Sequence, residues 1–405
     1  MAFCIHKDVL GSDLHLSFRE GEFSWIRSVP DTYWLLGLSE SHPRSIEALC
    51  NATGVEISTM PSDSHANMWS VLRPSGVAGV PIIYSLGSTS LNKHLKQLVR
   101  KIDDLLSKYG SSYYANEFVT IRQFLQGFKR CGIDKGEVIK ILNDDSQRNG
   151  SMGTFIPLDD GLLSAPIYNQ TSSCSGRLTI KSGPSILTMR KDRRHLLRPA
   201  CLGRSIVQID FISLEPRVAL SIANREAEAD VYEYIRREVL NCEVTRDVAK
   251  IATISALYGM SARRMSETIK ESDLSLTKKI LQTIRRYFKI PDLERDLTKQ
   301  VRLEGSISSV YGRVMKIDDE SKHILVNRFI QSTAADAALL GFSSMIDQMK
   351  DEKIDACPIF VIHDALLVDI NNDDIDRLRK FILKSISLPQ LLGNFPVSIE
   401  IISSQ

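Results

Sequence analysis

Two aspartates in unusual surroundings are the first residues that could do chemistry. Asp210 interrupts the apolar run Ile206, Val207, Ile209 and Phe211, which predicts a short buried strand where a carboxylate is costly unless paired or bound to metal. Asp364 follows His363 between two further apolar runs, 359–362 and 366–368, a pattern that reads as a hairpin with a polar tip. Such a tip ordinarily carries Asn-Gly or Asp-Gly. His-Asp-Ala is poor turn chemistry, so either the turn is distorted or its side chains are kept for function. On adjacent strands the two carboxylates could grip a pair of divalent ions about 4 Å apart, which activates an attacking oxygen and stabilises a leaving one in phosphoryl transfer. Whether they meet is left open by the sequence.

A third segment, TRDVAKIATISALYGMS, repeats Arg246, Lys250, Ile254 and Tyr258 at intervals of four. On a helix these form one drifting stripe, cationic at one end and aromatic at the other. It could hold a triphosphate with Arg246 and Lys250 while Tyr258 meets a base or sugar. The same spacing also describes an amphipathic helix with two solvated cations and a half-buried tyrosine. Between Arg177 and Arg204 eight basic residues face one acid, a local +7 within a chain whose net charge is +2. That run reads either as a solvated loop or as a surface for polynucleotide phosphates.

The elements that must position these groups follow from patterning. Residues 1 to about 90 mix short β-like runs (LHLSF, YWLLGL, VPIIYSL) with polar turns and one helical stretch, SIEALCNA. From Leu91 to about Asn149 the pattern becomes helical and charged, with Leu95, Leu98, Val99, Ile102, Leu105 and Leu106 on one face. Pro216 suits the first turn of a helix, with Glu215 beside it at the favourable dipole end. With 43% hydrophobic and 25% charged residues the composition is that of an ordinary globular protein. Seven scattered cysteines signal neither a disulfide framework nor a zinc site, so a reducing, cytoplasmic or otherwise intracellular setting is expected. No stretch is apolar enough to span a bilayer, no secretory signal is evident, and no membrane association is expected.

Taken together and in order, the segments resemble the A-family, polymerase I-like DNA polymerases. DFISLEPR looks like motif A, D-Y-S-Q-I-E-L-R, at Asp210, Glu215 and Arg217. The stripe resembles motif B, R-x3-K-x7-Y-G, at Arg246, Lys250, Tyr258 and Gly259, and the hairpin resembles motif C, H-D-E, at His363 and Asp364. NQTSSCSGRL is similar to the primer-contacting T-x-T-G-R-L at Gly176, Arg177 and Leu178, and NRFIQSTAAD to N-x-x-x-Q-G-T-A-A-D at Asn327, Gln331 and Asp336.

The resemblance implies an α+β right hand, with an antiparallel palm sheet, helical fingers and thumb, and a small mixed N-terminal domain. The expected division is 1–90 for that domain, 91–168 for the thumb and 169–405 for palm and fingers, the fingers over about 225–320. It further implies template-dependent addition of dNTPs to a primer 3′-hydroxyl, with Asp210, Asp364 and the Phe211 backbone carbonyl holding two Mg²⁺ ions, for which Mn²⁺ could substitute. Lys250 is the candidate general acid. Arg246, Lys250, Ile254, Tyr258, Glu215 and His363 would surround the nucleotide, and Arg177, Arg194, Arg198, Asn327, Gln331 and Arg313 would contact DNA. Glu215 beside Tyr258 would exclude a 2′-hydroxyl; related single-subunit RNA polymerases lack this acid.

Departures qualify the match. Ile254 stands where the family has an aromatic, Ala365 where an acid follows the catalytic Asp, and Ser213 and Ser332 replace Gln and Gly. They keep alternatives in view: a template-independent or ribonucleotide-using transferase, or a non-catalytic nucleic-acid-binding module. Residues 1–90 contain no Asp-x-Glu strand motif, so no 3′ to 5′ proofreading is expected, and a replication or repair protein could dock there. Repair, bypass or small-genome replication, at a nucleoid or viral replication site, are the expected settings.

Overall fold

A computed structural model describes residues 2–37, 42–57, 88–110, 113–144, 150–317, 322–382 and 386–405. The chain forms two compact units, Met1–Gln123 and Phe124–Gln405. No helix among the described residues is long and apolar enough to cross a membrane.

In the first unit β1 (Ala2–Ile5) is followed by the short helix α1 (Lys7–Leu10), β2 (His15–Arg19), β3 (Glu22–Ile26) and β4 (Trp34–Leu36). The sheet order is β3-β2-β1-β4, antiparallel except for the parallel β1–β4 pair. Ser45 caps α2 (Ile46–Thr53) by accepting from Ala48 N, and α3 (Ser88–Leu105) presents the Leu98, Val99, Ile102 and Leu105 face to the same core. The LHLSF and SIEALCNA expectations correspond to β2 and α2, whereas VPIIYSL lies outside the described residues. α4 (Tyr113–Gln126) carries the boundary between the units.

The second unit starts with β5 (Gly132–Ile133), α5 (Lys135–Asn143), the hairpin β6 (Ile167–Asn169) and β7 (Thr179–Ser182), and β8 (Leu197–Arg198). Its organising element is β9 (Arg204–Phe211), the apolar run that Asp210 interrupts. There follow α6 (Leu214–Ile222), α7 (Val231–Tyr234), α8 (Arg246–Leu257), α9 (Ala262–Ile269), α10 (Leu274–Tyr287) and α11 (Ile290–Glu304). β10 (Ser306–Ser308) pairs with β11 (Val314–Lys316) ahead of the long α12 (Lys322–Asp351). The chain continues through β12 (Ala356–Ile362), β13 (Ala365–Asn371), α13 (Ile375–Ile382) and β14 (Val397–Ser404).

The main sheet has the order β12-β13-β9-β14 and is antiparallel throughout, which places β9 in its interior. Side chains alternate between the two faces of β9, so Ile206, Gln208 and Asp210 share one of them. Ile206 is in the core there with Ile359, Ile362 and Leu367. The same face becomes polar two and four residues later. On the other side Phe211 packs on Phe342 of α12, with ring centroids 5.1 Å apart. A Cβ at Gly341 would come within 2.9 Å of the Phe211 ring, so glycine admits this approach.

Candidate active site

The register of the sheet brings the two aspartates together. Ala365 lies opposite Asp210, so Asp364, one residue earlier at the hairpin tip, is level with the end of β9, and its carbonyl accepts from Phe211 N at 3.1 Å. His363 takes a left-handed backbone, φ 56°, in a two-residue connection. The turn is distorted in the way its sequence suggested. Burial and then the negative charge of Asp364 raise the Asp210 carboxyl to about 6, partly offset by Lys191 and Arg194.

Both aspartates border a cleft of about 700 Å³. Its wall also includes Phe211, Glu215, Arg246, Lys250, Ile254, Gln331 and His363, so most of the residues singled out for metal and nucleotide line one cavity. Thr245 starts α8 by accepting from Val248 N, and the Arg246, Lys250 and Ile254 face then runs along the cleft. Tyr258 is the C-cap of α8, and its hydroxyl donates to Glu215 Oε2. Burial and the Glu215 charge push that phenol up. Glu215 stands in the first turn of α6, whose N-cap Ser213 has φ 56°, and its other oxygen accepts from Arg177 Nη2 at 3.3 Å.

The cations of α8 are held ready by groups that the sequence did not single out. Arg246 donates to Asp230 at 2.8 and 3.2 Å, and the guanidinium and the Lys250 ammonium lie 5.7 and 5.8 Å from the centre of the Tyr232 ring. Tyr232 lines the cleft and is nearly buried. Asp230 and Tyr232 fall outside every motif; an Asp capping a short helix was their sole signal, and it is a common one. Arg217, matched in motif A, is a buried tie rather than a site residue, donating to the carbonyls of Ile212, Glu228, Ala229 and Asn394.

The residues expected on DNA divide. Gln331 and Arg177 border the cleft, and Asn327 lies on α12 one turn before Gln331 with a buried Oδ1. Arg313 requires correction. Its side chain is 2% exposed and donates to both oxygens of Asp336, itself 1% exposed, at 3.1 and 2.6 Å, and to Gln170 O at 3.4 Å. A guanidinium spent in this way cannot reach a phosphate. Gly176, φ 73°, passes over it, and a Cβ there would come within 2.5 Å of Arg313 Cζ, so this pair seats the Gly176–Leu178 segment. The basic run also looks different in space. Arg198 meets Asp134 at 2.9 Å, Arg204 meets Asp369 and Asp355 at 2.5 and 2.6 Å, Lys191 meets Glu400 at 3.3 Å, and Arg190 meets Asp192 at 2.7 Å. Arg204 and Arg198 thus act inside the unit, and the +7 counted along the chain is largely matched by acids from other segments. Arg194 faces the aspartates, bonded to Gln208.

The donor set at the sheet end fits a divalent cation. The Asp210 carboxyl, which burial and the neighbouring Asp364 charge drive toward protonation, regains its ionised form when a cation lies beside it. Among the described residues no three His, Cys, Asp or Glu side chains converge as ligands, so the remaining positions of such an ion would go to main-chain and substrate oxygens or water.

Comparison with known proteins agrees with this architecture. Residues 160–403 match the model of DNA polymerase family A. The chain is 22% identical over 286 residues to DNA polymerase I of Caldicellulosiruptor bescii, covering 62% of this chain and 33% of that protein. It is 24% identical over 258 residues to DNA polymerase I of Aquifex aeolicus, covering 58% of this chain and 44% of the relative. The chain therefore matches less than half the length of each of these relatives. Among solved structures, the POL domain of Pol1 from M. smegmatis, in complex with DNA primer-template and dNTP, superposes with a TM-score of 0.64. That match, at 13% identity, covers 99% of this chain and 95% of that one, and it shows a shared α+β polymerase-domain fold.

Proposed function

The chain belongs to DNA polymerase family A, and from that premise we propose that it adds dNTPs to a primer 3′-hydroxyl on a DNA template. The observation that carries this reading is the convergence of Asp210, Asp364, Arg246 and Lys250 on one cleft. Asp210, Asp364 and the main-chain carbonyl of Phe211 would hold Mg²⁺, with Mn²⁺ as a substitute. Bound there, two such ions supply Lewis-acid stabilisation of the attacking and leaving oxygens.

The chain's own residues do the rest. Arg246 exchanges Asp230 for the triphosphate, and its ion pair, about half exposed, is weak enough to allow this. Lys250 binds the same phosphates and gives its proton to the departing pyrophosphate. His363, Ile254 and the Glu215–Tyr258 pair border the nucleotide, and the Glu215 carboxylate excludes a 2′-hydroxyl. Arg177, Asn327 and Gln331 face the primer-template near its end. In this reading 169–405 is palm and fingers, 91–168 contributes the thumb, and residues 1–90 are open to a protein partner. Residues 1–90 contain no Asp-x-Glu strand motif, so in this reading they do not proofread; trimming of a mismatched primer terminus with Mg²⁺ alone overturns that part.

The test is primer extension with each dNTP or rNTP. Template-directed deoxynucleotide addition, lost in Asp364→Ala, supports the reading. Addition without template would favour a transferase, and salt-sensitive DNA binding without synthesis a binding module.

A further inference from the structure

A carboxylate that is to receive a cation must be aimed before the cation arrives, and the strands beside Asp210 do little to aim it. The residues opposite are Ala365 on β13 and Ser398 on β14. The Ser398 hydroxyl donates to the main-chain oxygen of Asp210, at 3.4 Å, not to its carboxylate. The carboxylate's donor comes from its own strand. Gln208, two residues earlier on the same face and 2% exposed, directs Nε2 at Asp210 Oδ2, 3.5 Å away.

An amide can face either way, and Arg194 decides which. Its Nη1 lies 2.7 Å from Gln208 Oε1. A guanidinium has donors and no acceptor, so it can meet only the oxygen end of the amide, and the NH2 end is thereby turned toward Asp210. Arg194 is carried by the 3-10 turn Lys191–Leu196, which the Lys191–Glu400 contact fastens to β14 beside Gln208. Its charge also lies within reach of Asp210, Glu400 and Asp364.

We propose that Arg194 is a positioning residue that acts through Gln208 to orient the Asp210 carboxylate for cation binding, and is not a duplex-DNA contact. The proposal rests on the reading of Asp210 and Asp364 as the metal-holding pair. Nothing in the sequence marked Gln208, and the basic run had assigned Arg194 to phosphates.

The test measures two affinities on the DNA-free and DNA-bound chain. Mn²⁺ binding is followed by the EPR signal of the free ion, and primer-template binding by fluorescence anisotropy. Arg194→Met and Gln208→Met should each weaken Mn²⁺ binding about 10-fold, the range seen when the support of a metal ligand is removed. The double variant should be no weaker than either single one, because both interrupt one relay. Arg194→Lys should recover part of the loss, and primer-template affinity should stay within about twofold of wild type, which also verifies folding. If Gln208→Met does not fold, the Arg194→Met and Arg194→Lys pair decides. Unchanged Mn²⁺ binding in Arg194→Met overturns the proposal, as do additive losses, and weakened DNA binding in their place returns Arg194 to the phosphates. Asp210→Asn is the control for the underlying reading: if it too leaves Mn²⁺ binding unchanged, the metal-holding pair itself falls.

Discussion

Two groups of carboxylates in the second unit solve the problem of burial in opposite ways. Asp336 is almost fully enclosed and paired through both oxygens with Arg313. Asp210 is level with Asp364 at the end of the sheet, its carboxylate accepts from a neutral amide at 3.5 Å, and its pKa rises to about 6. The first arrangement is complete within the protein. In the second, Lys191 and Arg194 act on Asp210 without pairing directly with its oxygens, and such a site is one that a cation or a cation-bearing substrate completes. The same residue type is therefore structural at one place and chemical at the other, and the difference lies in whether the protein itself supplies the counter-charge.

The contrast can be broken by experiment, beginning with the largest effect. Asp364→Ala should reduce single-turnover primer extension by about 10⁴-fold while leaving the melting temperature near wild type, since the lost interaction belongs to the reaction. A residual rate within tenfold of wild type would place the chemistry elsewhere. Arg313→Met should do the reverse in kind, costing about 3–5 kcal/mol of stability in denaturant unfolding because Asp336 is stranded without its partner. Arg313→Met combined with Asp336→Leu should cost less than Arg313→Met alone. If the double variant is the weaker, the pair contributes more than mutual satisfaction.

Glu215→Ala should lower discrimination against ribonucleotides by about 10–100-fold, read as the ratio of kcat/KM for dNTP and rNTP. Unaltered discrimination would remove the sugar-excluding role assigned to the Glu215–Tyr258 pair. The smallest effect concerns Asp210. Its folded-state pKa is raised above the unfolded value, so the folded chain holds this proton more tightly, and the resulting stability is lost as pH rises toward and through about 6. Without divalent ions Asp210→Asn should therefore melt about 2–4 °C above wild type at pH 7.5, with the gain shrinking as pH falls through about 6 and gone by about pH 4. An Asn variant that is less stable at pH 7.5 would mean that Asp210 is satisfied after all.

Much of the site was legible because the chemistry constrains residue type and spacing. The Asp in an apolar run, the His-Asp hairpin tip and the four-residue stripe are each local patterns, and β9, the β12–β13 connection and α8 carry them where expected. The resemblance to A-family polymerases rested on those patterns, and the family match and shared fold agree with it. What misled was charge. Counted along the chain, Arg177 to Arg204 looked like one open cationic surface, because Asp134, Asp355, Asp369 and Glu400 are remote in sequence. Arg313 was placed on DNA by the resemblance, and its buried partner lies 23 residues away, where no local pattern shows it.

Sequence alone determined the residue types, their order and the alternation that puts Gln208 and Asp210 on one face of a strand, since these follow from covalent spacing and the period of the backbone. Only the tertiary structure decided which charges are spent and which are left over. Asp336 and Asp364 are the same side chain, and nothing near either in sequence says that one meets a guanidinium and the other a second carboxylate. That outcome depends on the register of β13 against β9 and on where α12 passes the β10–β11 hairpin, and electrostatic energy depends on distance in space, not on separation along the chain.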